Sequence, residues 1–234
     1  MRLIYTRLIV ILSLLMPAMV PAQDSVLHRI IFIGDAGEMD EQQKLVLQHA
    51  ASLNMPGKTT AFFLGDNIYK RGMSLPGSRD QQATEEILRS QYTPLRNAGI
   101  PVWFIPGNHD WDKMGKNGLA KIKRQGQFLQ EQNDSLLQLI PSNGCPDPVA
   151  IPLGDSIVVI AMDSEWWLFP FSKENPSGDC SCKTKEDIVA SLEQLAYEHR
   201  GKMILLANHH PFASYGTHGG RYGWKRPFVS LNKC

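Results

Sequence analysis

Five apolar runs of strand length punctuate the chain: Ile30–Ile33, Thr60–Leu64, Val102–Ile105, Ile157–Met162 and Met203–Ala207. They are nearly continuous rather than alternating, which is the pattern of strands covered on both faces. Helical patterns separate several of them. Asp40, with Gln43 three residues on, marks a helix start ahead of Leu45, Val46 and Leu53. Ala83, Ile87, Leu88 and Leu95 predict a second helix running towards Gly99. Thr184 and Asp187 form a capping box before Ile188, Val189, Leu192, Leu195 and Ala196. Such alternation predicts a layered α/β domain with helices covering a sheet. The stretches Pro141–Pro148 and Asn175–Asp179, rich in Pro, Gly, Asn and Ser, predict surface loops.

The beginning of the chain follows a different pattern. Arg2 and Arg7 precede the apolar run Leu8–Met16, and the small-residue exit Val20-Pro21-Ala22 follows. That is the layout of a secretory signal peptide over residues 1–22, too short to span a bilayer. The expectation is an exported protein, periplasmic or secreted, with no membrane association once the leader is removed. Residues 23–234 then form one domain, since 234 residues suit one sizeable core better than two.

Charge narrows the partners. The formal net charge is +1 and falls to −1 without Arg2 and Arg7, which gives no electrostatic footprint for nucleic acid. A local basic run, Lys113, Lys116, Lys121, Lys123 and Arg124, reads first as a solvated helix face and second as a weak pull on phosphate substrates. Cys145, Cys180, Cys182 and Cys234 have disulfides as a fate in an oxidising compartment, with three complete pairings open. A metal clip at Cys180-Ser181-Cys182 is disfavoured.

The chemistry collects where the apolar runs end. Ile30–Ile33 leads into Gly34-Asp35-Ala36-Gly37, and Ala61–Leu64 into Gly65-Asp66-Asn67-Ile68-Tyr69. Val102–Ile105 leads through Pro106 into Gly107-Asn108-His109-Asp110, and Met203–Ala207 into Asn208-His209-His210-Pro211. Ligands of layered α/β folds bind at the carboxyl ends of strands. Any single Gly-Asp pair reads as a tight turn, whereas four clusters in register read as one site. A glycine before each acidic or amide ligand lets backbone approach an ion closely. Carboxylate, amide oxygen, imidazole and phenol together suit hard or borderline metal ions, and a shared carboxylate suits a two-ion clamp for displacement at phosphorus.

The ordered series G-D-x-G, G-D-x-x-Y, G-N-H-D and x-x-H-x-P resembles the calcineurin-like metallophosphoesterases. Within them it is most similar to the purple acid phosphatases of the small, tartrate-resistant type. Many metallophosphoesterases carry histidine two residues after the first Asp; here that position is Gly37, and Tyr69 stands where the purple enzymes supply a phenolate. The resemblance covers about Ile30 to Gly219. It implies a four-layer α/β/β/α sandwich with two mixed sheets. It further implies hydrolysis of a small-molecule phosphate monoester by a metal-bound hydroxide at a two-metal centre. Asp35 and Tyr69 resemble ligands of the first metal, Asp66 the bridge, and Asn108 and His209 ligands of the second. The implied ions are iron plus iron, zinc or manganese. His109 and His218 resemble acids or phosphate contacts, with Asp110 orienting His109. His210 reads as a pocket or packing residue.

One part of the family pattern is missing. A fifth motif, Gly-His-x-His, would supply a histidine to each metal, and no histidine follows His218. The sandwich is therefore expected to be C-terminally incomplete and the chain weak or inactive. A phosphodiesterase or nucleotide hydrolase of the same superfamily, or a non-catalytic phosphate-binding module, is the alternative. The aromatic run Trp166–Phe171 reads as packing, with a lip over the cleft as the second choice.

Overall fold

The computed structural model describes residues 26–173 and 180–211. The leader, the loop Asn175–Asp179, His218 and Cys234 lie outside the described residues. Strand β1 (Arg29–Ile33) leads into helix α1 (Glu41–Ser52), β2 (Thr59–Leu64) into α2 (Gln81–Asn97), and β3 (Val102–Ile105) into α3 (Gly118–Gln130) and the short β4 (Leu137–Leu139). A 3-10 turn (Ser142–Gly144), β5 (Val149–Leu153), β6 (Ile157–Ala161), α4 (Ser164–Leu168), α5 (Lys185–Glu198) and β7 (Met203–Ala207) follow.

The helix starts are those that the capping residues mark. The Asp40 carboxylate accepts from the Gln43 N–H at 2.7 Å, and Thr184 and Asp187 cap each other reciprocally at α5. Helix α3 has no such mark; its buried Ile122, Phe128 and Leu129 are too sparse among basic residues to stand out.

Two sheets form, ordered β1-β2-β3-β4 and β5-β6-β7. Among the described residues the first sheet is wholly parallel, which corrects the expectation of two mixed sheets. Each of its connections carries a helix, and a helical crossover returns the chain in the same direction. The second sheet is mixed, with β5 antiparallel and β7 parallel to β6.

Successive strand residues face opposite ways, so β2 feeds two cores. Phe63 stacks on Phe104 at 4.5 Å within a core that also takes Leu88 and Leu95 of α2 and Ile122 of α3. Phe62 and Ile105 face the other way and meet Ile151, Val159, Ala161 and Ala207 of the second sheet. Each fully buried phenylalanine is worth roughly 1.5–3 kcal/mol of burial free energy. Helix α5 is the crossover between the parallel β6 and β7, whose inner face is already filled. Its Ile188 is buried in the core that also takes Trp166 and Phe169.

The stretch Pro141–Pro148 is not simply surface: Gly144, Cys145 and Pro146 are buried. Cys145 forms a disulfide with Cys180, and Cys182 is buried and free among the described residues. Cys145, Asp147 and Cys180 lie close enough to suggest a metal clip, but both sulfurs are consumed by the disulfide. Trp166 is buried and Trp167 packs against the same core, which is the packing reading of the aromatic run. Among the described residues no helix is long and apolar enough to cross a membrane.

Candidate metal centre

The loops after β1, β2, β3 and β7 meet at one edge. Ligand atoms of Asp35, Asp66 and His209 all lie within 4.8 Å of one another. Asp35 and Asp66 both take left-handed backbone conformations, at φ 56° and 53°, to turn their carboxylates into the site. Asp35 is exposed at the rim while Asp66 is buried. Tyr69 donates its phenol proton to Asp35 Oδ1 at 2.9 Å. Asp66 Oδ1 accepts the His109 backbone N–H at 2.9 Å and stands 3.5 Å from His209 Nε2.

Two glycines make the approach possible. A Cβ on Gly65, which has φ +91°, would stand 2.6 Å from His209 Nδ1. A Cβ on Gly37 would stand 2.6 Å from the Asp66 carbonyl oxygen and 2.7 Å from the Ile68 and Tyr69 nitrogens. Gly34 is different: a Cβ there meets nothing within 4 Å, so a glycine before Asp35 is not a spatial requirement.

The histidines are oriented by backbone carbonyls, which accept only. His209 Nδ1–H donates to the Leu64 oxygen at 2.8 Å, which leaves the Nε2 lone pair facing inward. That nitrogen lies 3.1 Å from Asn108 Oδ1. A lone pair facing an amide oxygen and a carboxylate is an electron-rich gap that a cation fills. The donor set of Asp35, Asp66, Tyr69, Asn108 and His209 therefore fits metal ions. His109 Nδ1–H likewise donates to the Lys70 oxygen at 2.7 Å, and its Nε2 points towards Asp66 Oδ2 at 3.8 Å.

Asp110 does not orient His109, contrary to the sequence-based expectation. Its fully buried carboxylate accepts from the backbone N–H groups of Gly107, Asn67 and Ile68 at 2.8–3.2 Å and from the Asn67 side-chain amide at 3.0 Å. It ties the β2 and β3 loops together. Side chains of neighbouring residues diverge, so adjacency to His109 carried no information about contact. Burial and the Asp66 charge push Asp110 up to about 8, against the pull of those N–H donors. The four donors match the ionised form, and cations in the site would favour it further.

Burial, then the Asp66 and Asp35 charges, push the Tyr69 phenol well above its ordinary value. Only positive charge in the site would release that proton. His210 packs edge-on against His209 at 4.8 Å, and burial beside that ring lowers it to about 4. Ser164 Oγ accepts the His210 backbone N–H at 3.1 Å and lies 2.9 Å from its Nδ1. His210 and Pro211 join the ligand residues in lining a cavity of about 340 Å³.

Asn67, Ser164 and Asp163 were not singled out by sequence reasoning. Asp163 caps α4 and accepts the Trp111 indole N–H at 2.8 Å, bracing the loop after β3 against the second sheet. The only signal available was Asp163 following an apolar run. His218 lies outside the described residues.

Among curated proteins none matches. Among solved structures, GAP50, the anchor in the inner membrane complex of Plasmodium, is 15% identical with a TM-score of 0.47, a likeness too low to carry an argument. The match covers 83% of this chain and 58% of that one. The model of the calcineurin-like phosphoesterases, by contrast, matches residues 28–231, which takes in every described strand and all four ligand-bearing loops. On that span the chain belongs to the calcineurin-like phosphoesterases, hydrolases that typically bind two metal ions.

Proposed function

We propose that the chain is an exported phosphomonoesterase of the purple acid phosphatase type. The observation that carries this reading is the approach of Tyr69 to Asp35 beside the Asp66–Asn108–His209 group. Asp35 and Tyr69 would hold one ion, Asn108 and His209 the other, and Asp66 both. A phenolate in the first set favours ferric iron, and the second set accepts iron, zinc or manganese. When bound, the pair supplies Lewis acidity, charge neutralisation and an activated water.

The remaining work falls to the protein. Gly65 and Gly37 allow the ligand loops to touch, and the Leu64 carbonyl, by holding Nδ1, aims His209 Nε2 into the site. His109, its Nδ1–H committed to Lys70, can deliver a proton only from Nε2, the atom facing the site. We assign it the protonation of the leaving oxygen. His218 is proposed as a second phosphate contact.

The test joins metal content with turnover. With no fifth-motif histidines after His218, purified protein should bind metal ions including iron only weakly and hydrolyse phenyl phosphate slowly, yet faster than bis-phenyl phosphate, with Asp66→Ala abolishing both properties. Faster diester cleavage would move the reading to a phosphodiesterase. Phosphate binding without turnover would move it to a binding module.

A further inference from the structure

A second cavity opens beside the ligand cluster. It encloses about 1060 Å³, at the upper end of small-molecule sites. Tyr69 and His109 line both cavities and form the boundary between them, while Asp35, Asp66, Asn108 and His209 line only the smaller. The larger space therefore lies on the His109 side of the metal centre. If His109 protonates the leaving oxygen, the leaving group must depart past that ring and into this space.

Its wall has a definite chemistry. Met39, Ala83 and Ile87 supply an apolar surface. Lys70, Arg79 and Lys113 supply cations, all on exposed side chains, and none makes an ion pair among the described residues. The neighbouring cations behave otherwise. Lys121 and Arg71 are both held by Asp112, at 2.9 and 3.0 Å, and Arg124 by Glu85 and Glu131, each at 2.8 Å. The basic run in the sequence thus divides: Lys121 and Arg124 are neutralised, whereas Lys113 faces the cavity. Of the two acids in the lining, Glu86 is paired with Arg89 at 2.8 Å, which leaves Glu38 against three cations.

We infer that this cavity is a leaving-group subsite for phosphate esters whose alcohol carries an apolar body and a second anionic group, held by Arg79, Lys113 and Lys70. The inference rests on the phosphatase reading for the direction of departure, while the charge pattern stands without it. The apolar wall takes the body of the leaving group and the unpaired cations take its far anion, such as a carboxylate or a further phosphate.

Equilibrium binding to the metal-loaded full chain separates the two readings. The probes are phenylphosphonate, 4-phosphonobenzoate and its carboxybiphenyl homologue, none of which can be turned over. At least one carboxylated probe should bind roughly three- to tenfold tighter than phenylphosphonate, a gain of the size expected for one or two exposed ion pairs. The gain should shrink at high salt and vanish in Arg79→Gln/Lys113→Gln. Lys116→Gln, which removes one positive charge outside the lining, should keep it. Equal binding of all probes, or a gain that survives the double substitution, overturns the subsite. Should phenylphosphonate fail to bind while the carboxylated probes bind through Arg79 and Lys113, the metal-centred reading fails and the subsite stands. Failure of every probe overturns both.

Discussion

Gly37 and Tyr69 are locked together through the backbone: the Tyr69 N–H donates to the Gly37 carbonyl at 3.0 Å, and a Cβ on residue 37 would stand 2.7 Å from that same nitrogen. The pairing of glycine at one position with tyrosine at the other is therefore a matter of space. A side chain at residue 37 would displace the backbone that aims Tyr69, so a histidine ligand there and a phenol ligand at residue 69 exclude each other.

Gly37→Ala should accordingly cost about 1–3 kcal/mol, since backbone atoms cannot retreat as a flexible side chain can. Urea unfolding measures the loss, and metal analysis of the folded fraction should show reduced occupancy. An unchanged midpoint would sink the steric account.

Tyr69→Phe keeps the ring, which meets His109 edge-on at 4.5 Å, and removes only the oxygen bonded to Asp35. Stability should stay within about 0.5 kcal/mol, as for surface changes that leave packing intact. With ferric iron bound, the visible absorption of a phenolate complex should disappear. Persistence of that colour would remove Tyr69 from the ligand set.

Asp110→Asn replaces an acceptor of four N–H groups with an amide whose own N–H₂ must face some of them. Destabilisation of about 1–3 kcal/mol is expected from the unsatisfied donors. The acidic limb of the pH–rate profile of the folded variant should not move, because the His109 ring is set by the Lys70 carbonyl. A shifted limb would restore a direct role for Asp110 towards His109.

Glu165 is fully buried, with neither carboxylate oxygen hydrogen-bonded among the described residues. Burial, then the Asp163 and Asp66 charges, push it from 4.5 up to about 8. The native state thus holds this proton more tightly than the unfolded chain. The contribution of Glu165 to stability is fully present below about 4.5 and is lost as pH climbs towards 8, by about 1.4 kcal/mol per pH unit at most. Thermal unfolding of ion-free protein between pH 5 and 8 should show that decline, and Glu165→Gln should flatten part of it. The remainder belongs to Asp110 and Asp163, the latter raised by burial to about 7. An equal slope in the variant would refute the assignment.

What could be read along the chain was set by local patterns. The strands are legible because Ala61–Phe63 and Val102–Ile105 are buried runs bounded by Gly and Pro. The caps at Asp40 and Thr184 are legible because a short polar side chain satisfies the first turn locally. The convergence of Asp35, Asp66, Asn108 and His209 followed from their positions at strand ends. Strand order, the all-parallel first sheet and the partners of Asp110 depend on pairings between distant segments, which leave no local trace. Strand β4 has only three residues and β5 carries Pro152, so neither produced a pattern to read.

The bond from His209 to the Leu64 carbonyl joins residues 145 positions apart. During synthesis the carboxylates of Asp35 and Asp66 and the amide of Asn108 leave the ribosome long before His209 does. The parallel sheet that presents them can form first, but the imidazole arrives only when β7 docks beside β6. Such a distant closure carries the greatest loop entropy and tends to come late in folding. The nascent chain thus has a carboxylate-rich half-site through most of its assembly, and an imidazole ligand only at the end. Ions selected by nitrogen donors are consequently chosen by the finished fold, not by the growing one.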